Sequence, residues 1–152
     1  MPSIFSQVLD ATRDVIVGLG LSDMPAERIV LMPTVPRATD QVVQTLPAIV
    51  LAPLGAETIN HATNLSDDIT YPIAVVILDS AENKPLDATA ADLRLTWRES
   101  ILRAFHNKRM SAVTGITTQA VQPLEAVSAA GWAQGYFVSA LVIRVTVRKA
   151  RS

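Results

Sequence analysis

The sequence predicts an α+β fold, a mostly antiparallel β-sheet with two main helices packed on one of its faces. Three observations predict it. Two stretches place apolar residues at helical spacing, residues 71–79 form a continuous β-branched run, and a long terminal segment alternates apolar with other residues. No repeat, low-complexity tract or composition break interrupts the chain, so 1–152 reads as a single domain.

Ser3 is placed to cap a helix over 4–18, in which Ile4, Val8, Ala11 and Val15 line one side and Phe5, Leu9, Thr12, Ile16 and Leu19 lie beside them. Gly18 and Gly20 close it. A turn around Met24 and Pro25 leads into a short apolar stretch, 29–32, which Pro33 and Pro36 end. Residues 46–52 read as a strand whose early Pro47 favours an edge or a strand start. The polar segment through Asn60, His61, Asn64, Asp67 and Asp68 holds a short strand near 57–61 and then a turn. Residues 71–79 have the character of a buried strand, and 80–87 of a loop.

Asp87 or Thr89 caps the second predicted helix, 88–107. Ala90, Leu93, Trp97, Ile101, Ala104 and Phe105 share its inner face, and Asp92, Glu99, Arg103 and His106 the outer one, with Glu99 and Arg103 in the favourable i,i+4 order. Leu95 and Leu102 stand outside that stripe, seven residues apart, as extra core or as a subunit contact. A strand is expected at 116–122, stopped by Pro123, then a loop over 124–135. In the last strand, 136–149, Phe137, Ser139, Leu141, Ile143, Val145 and Val147 form one face. The other begins apolar at Val138 and turns basic at Arg144 and Arg148.

Composition excludes several classes. The longest apolar run, 73–78, is far short of the ~20 residues that span a bilayer. The first residues lack a basic region and soon meet Asp10 and Asp14, unlike a secretory signal. With no cysteine there is no disulfide framework and no thiolate metal site. Charged residues are 18 % of the chain and hydrophobic ones 49 %, an apolar balance that suits an obligate oligomer and equally an ordinary Ala/Val-rich domain. The charges are also sorted. Residues 1–93 hold twelve acids against four bases, and 94–152 hold nine bases against two acids, a polarity that the net charge of −1 conceals. Opposite signs in separate segments pair either within a subunit or between identical subunits.

No catalytic pattern emerges. Gly-rich phosphate loops, a nucleophile elbow and a His-Glu-x-x-His motif are absent, and His61 and His106 lie 45 residues apart in unlike contexts. Asp67 and Asp68, with Asp79 and Glu82 as possible neighbours, form the best acid cluster; two adjacent carboxylates can bind a cation or share a proton, and equally suit a polar turn. Arg144, Arg148, Lys149 and Arg151 are candidates for phosphate contacts, but no aromatic residues interleave with them and the isoelectric point is near 6.1. Trp132, between small residues, either folds back on the core or anchors a neighbour. The candidate subunit or partner interface is therefore Asp67, Asp68, Leu95, Leu102, Trp132, Arg144 and Arg148, with no catalytic, cofactor-binding or metal-ligating residue assigned.

In the order and texture of its segments the chain resembles the tail terminator proteins of tailed bacteriophages. The segments are the N-terminal amphipathic helix; Leu46-Pro47-Ala48-Ile49-Val50; the polar Asn64-Leu65-Ser66-Asp67-Asp68 before Tyr71-Pro72-Ile73-Ala74-Val75; Trp97-Arg98-Glu99-Ser100-Ile101 with Ala104-Phe105; Val113-Thr114-Gly115; and a last strand ending Ile143-Arg144-Val145. The resemblance implies an α/β sandwich that needs no cofactor and forms a hexameric ring on the tail tube. Such a ring stops tube polymerisation, meets the head-side connector or stopper, and meets a sheath-side terminator where the tail is contractile. Genome DNA would pass through the lumen without specific binding. It further implies a virion protein made in the host bacterial cytoplasm. Another neck protein, such as a connector, shares this style; a small enzyme using Asp67 and Asp68 and a nucleic-acid module using the basic strand are the readings from other classes.

Overall fold

In a computed structural model of the protein, the structure describes residues 2–35, 46–80, 92–106 and 108–151. The elements in chain order are α1 (Ile4–Gly18), β1 (Ile29–Leu31), β2 (Ala48–Pro53), β3 (Thr58–Thr63), β4 (Ser66–Ser80), α2 (Leu93–Phe105), β5 (Ile116–Pro123), α3 (Ala129–Ala133) and β6 (Tyr136–Ala150). The fold is α+β, with a six-stranded sheet in the order β1-β2-β4-β6-β5 and with β3 pairing β4 outside that path. Among the described residues only β1 and β2 run parallel.

Strand β4 is the spine. Its whole length pairs with β6, from Ser66 opposite Ala150 to Ser80 opposite Tyr136. On its other side β2 takes the upper half, Ala48–Pro53 against Leu78 through Ile73, and β3 takes the lower, Thr58 against Thr70 through Thr63 against Ser66. Period-two alternation then sorts the side chains. Ile49 and Leu51, Ile73, Val75 and Ile77, and Phe137, Leu141, Ile143, Val145 and Val147 point to one face. Val8, Ala11 and Ile16 of α1 and Trp97, Ile101 and Phe105 of α2 meet them there in one cluster, so both main helices pack on the same face, as the sequence predicts. A smaller cluster of Val50, Val76 and Leu78 lies on the opposite face.

Helix α1 matches its predicted span, and the Ser3 hydroxyl accepts from the Ser6 N–H at 3.0 Å. Helix α2 is described from Leu93, with Asp92 as its cap; the expected caps Asp87 and Thr89, the loop after Ser80 and residue Ala90 lie outside the described residues. Asp92 is thus a cap and not an outer-face residue, and Leu93, expected inside, is exposed at the helix start. Pro47 precedes β2 as a strand start; β2 itself is flanked by β1 and β4 and is no edge. The turn expected at Asp67 and Asp68 is corrected: both lie inside β4, which begins at Ser66 because β3 and β6 supply its backbone partners there. The expected loop over 124–135 contains α3, capped by the Ser128 hydroxyl, which accepts from the Gly131 N–H at 3.2 Å. Gly131 lets this short helix lie close on β6, since a Cβ there would stand 2.7 Å from Val138 Cγ2.

Candidate assembly interface

Past Tyr71, on which Phe5 packs edge-on with ring centroids 5.1 Å apart, burial along β4 falls. Residues Ser66–Thr70 are half-buried, and β3 beside them is exposed at every position but Ala62. Together with the end of β6 they form a three-stranded arm, open to water on the face away from the helices and partly covered on the other, where Val147 is buried and Ile69 packs against the core. Ile59 and Leu65 on it are 67 % and 79 % exposed.

The register of the arm explains the sorted charges. Asp68 stands directly opposite Arg148, and the guanidinium donates to both carboxylate oxygens, Nε at 2.9 Å and Nη2 at 3.1 Å. Asp67, on the other face, takes Arg151 instead of the opposed Lys149: Nε donates to Oδ1 at 3.0 Å and Nη2 to Oδ1 at 2.6 Å. Arg151 also donates to the Asn64 carbonyl at 3.2 Å and contacts His61 Nδ1, tying the strand end to the β3–β4 turn. Hydrogen bonds from Arg151 and Arg148 hold the Asp67 and Asp68 carboxyls below the usual range and raise the two guanidinium groups in turn. Of the two ways the sorted charges can pair, both acids use the one within the chain, Asp68 with Arg148 and Asp67 with Arg151. Arg144 is exposed and donates to the Gln122 side-chain oxygen at 2.5 Å, a neutral partner across β5.

This arrangement does not suit the acid–base reading of the cluster. Two carboxylates each held ionised by its own arginine do not share a proton. Asp79 is buried at the far end of β4, its Oδ1 accepting from the Ser80 N–H at 2.8 Å, and Glu82 lies outside the described residues. Among the described residues no three His, Cys, Asp or Glu side chains are grouped to hold a metal ion.

The apolar candidates turn inward. Leu95 and Leu102 are half-buried and pack against the core of their own chain, and Trp132 of α3 does the same. His61 lies in β3 rather than a loop, and His106 is exposed at the end of α2.

Sequence reasoning missed two buried arginines. Arg94 is paired with Asp92 at 2.8 Å and lies over the Phe137 ring, 4.6 Å from its centroid. Arg98 is 7 % exposed and donates to the carbonyls of Leu124 at 2.7 Å, Ala140 at 2.8 Å and Glu125 at 3.2 Å, and to the Ser139 hydroxyl at 2.8 Å. Burial pulls its guanidinium below the ordinary value, and the carbonyl dipoles supply what a counter-ion would. It thereby fastens α2 to β6 and to the segment after β5, which stays hydrogen-bonded to β6 through Leu124, Glu125 and Ser128. The signal was in the spacing: positions 94, 98, 101 and 105 form one helical stripe with Ile101 and Phe105.

Compared with protein-family models and with curated proteins, the chain matches none. No helix among the described residues is long and apolar enough to cross a membrane.

Proposed function

We propose that the protein is a structural component of a phage virion: a tail terminator that forms a hexameric ring, caps the tail tube, stops its growth and receives the head-side connector. The observation that carries this reading is the whole-chain resemblance, whose segments fall on the elements of a single sheet-and-helix layer. The amphipathic helix is α1; the Leu46–Val50 segment enters β2. The polar segment and the buried run are the two halves of β4, and the last segment lies in β6. An arm with exposed Ile59 and Leu65 further supports an assembly role, because apolar residues projecting on a polar arm suit contact with another chain. The ring needs heterologous contacts, one patch meeting a different patch next door. The test is polymerisation of the tail tube protein with and without this protein, read as tube length by negative-stain imaging. Capped tubes of limited length with a ring at one end are expected. Unchanged lengths and bare ends would overturn the reading.

A further inference from the structure

Among the described residues two strands border the sheet with one side unpaired, and they match each other. Strand β5 pairs with β6 on one side, and among the described residues no strand pairs with its other side. Strand β3 pairs with β4 on one side and is likewise unpaired on the other. Exposed edges in natural proteins are usually blunted by charge or proline. Here β3 (Thr-Ile-Asn-His-Ala-Thr) has no acid, lysine, arginine or proline, and β5 (Ile-Thr-Thr-Gln-Ala-Val-Gln-Pro) has only the proline at its end. Each carries one register shift, between His61 and Thr63 and between Ile116 and Thr118, which leaves most of the edge regular. The third edge, β1, is three residues long, and the Ile29 carbonyl already accepts from Arg13 Nε at 2.8 Å.

Direction and face agree as well. β3 is antiparallel to β4, β4 to β6 and β6 to β5, so β5 of one copy beside β3 of the next continues the alternation unbroken. Thr58 and Asn60 lie on the same side of the sheet as Thr118, Ala120 and Gln122, facing away from the helices, and all five are exposed. Ile59 points to the helix side, as Val121 does, and gains an apolar neighbour in that pairing. The two edges are staggered along β6: β3 lies level with Thr146–Ala150 and β5 with 141–147. Closing strands into a ring requires such an offset. A two-fold pairing of β5 with β5 would leave every β3 bare, whereas one heterologous contact covers both edges.

We infer that the β5 edge of one copy pairs antiparallel with the β3 edge of a second copy of this chain, making the subunit contact by sheet extension rather than by the charged pairs. The inference rests on the ring reading for closure of the assembly, not for the contact itself.

The chain has no cysteine, so single cysteines report cleanly. Asn60→Cys protein is mixed in turn with Thr118→Cys, Ala120→Cys and Gln122→Cys protein under mild oxidation. Opposed residues on paired strands lie within disulfide reach. The expected result is a cross-linked dimer in at least one mixture, absent from each variant alone and from an Asp10→Cys with Ser111→Cys mixture, and lost when Ala120→Lys is added to a Thr118→Cys or Gln122→Cys partner, or Gln122→Lys to an Ala120→Cys partner. Native mass spectra of the same samples separate the failures. An oligomer without the mixed cross-link, or with cross-links of a variant to itself, overturns the edge contact and leaves the ring reading standing. A monomer throughout, both alone and with tail tubes added, overturns both.

Discussion

The two halves of the β4–β6 pair share a backbone ladder and differ in almost everything else. In the upper half, Tyr71–Asp79 are all buried, β2 completes the sheet and α1 and α2 cover one face. In the lower half the same strands carry Asp67, Asp68, Arg148 and Lys149, β3 replaces β2, and the charged side chains keep contact with water. Hydrophobic burial fixes the first half, since a one-residue slip would turn its apolar set outward. In the second half cross-strand pairs hold the same register with little burial to help. The comparison teaches that β4 and β6 are one scaffold with a core end that sets stability and an arm end held in register by its cross-strand pairs.

Substitutions at the two ends are expected to separate accordingly. Phe105→Ala empties a fully buried site under the sheet and is expected to lower stability by about 3–5 kcal/mol, seen as a drop in the denaturant midpoint with the slope unchanged. Arg98→Ala removes the donor from the backbone carbonyls of Leu124, Glu125 and Ala140, for about 1–3 kcal/mol. Amide hydrogen exchange at 124–140 should accelerate more than at β2, because the loss is local. Asp92→Ala takes away the carboxylate that accepts from the Arg94 N–H at 2.9 Å and is expected to cost about 0.5–2 kcal/mol as a lost cap, read in thermal unfolding.

At the arm end Asp68→Asn should have the smallest effect, and a pH-dependent one. The folded Asp68 carboxyl titrates below its unfolded value, so its pairing with Arg148 contributes above the unfolded carboxylate range, near pH 4. That contribution fades as pH falls through the depressed folded value. The midpoints of wild type and Asp68→Asn should therefore differ at pH 7, converge as pH is lowered past that range, and approach each other in high salt.

The same contrast decides what was legible in the sequence. Helix α1, the buried run of β4 and the alternating β6 were readable because burial on one face imposes a period of 3.6 or 2. The first residues of β4 were not, since a half-buried stretch with only Ile69 apolar leaves no alternation to read, and two adjacent aspartates then look like a turn. The sorted charge was a sound count, but its partners depended on register: residues 80 apart in sequence, Asp68 and Arg148, are opposite in the sheet. Helix α3 is too short for periodicity to reveal it. Arg94 and Arg98 were assigned to no face because charge argues for the surface, while their spacing with Ile101 and Phe105 argued for the core side.

The central claim is that this chain works as a ring. Native mass spectrometry of the purified protein, alone and after incubation with tail tubes, tests it most directly. A closed assembly of six copies, free or at the tube end, is the predicted result; a single-chain mass under both conditions would contradict it.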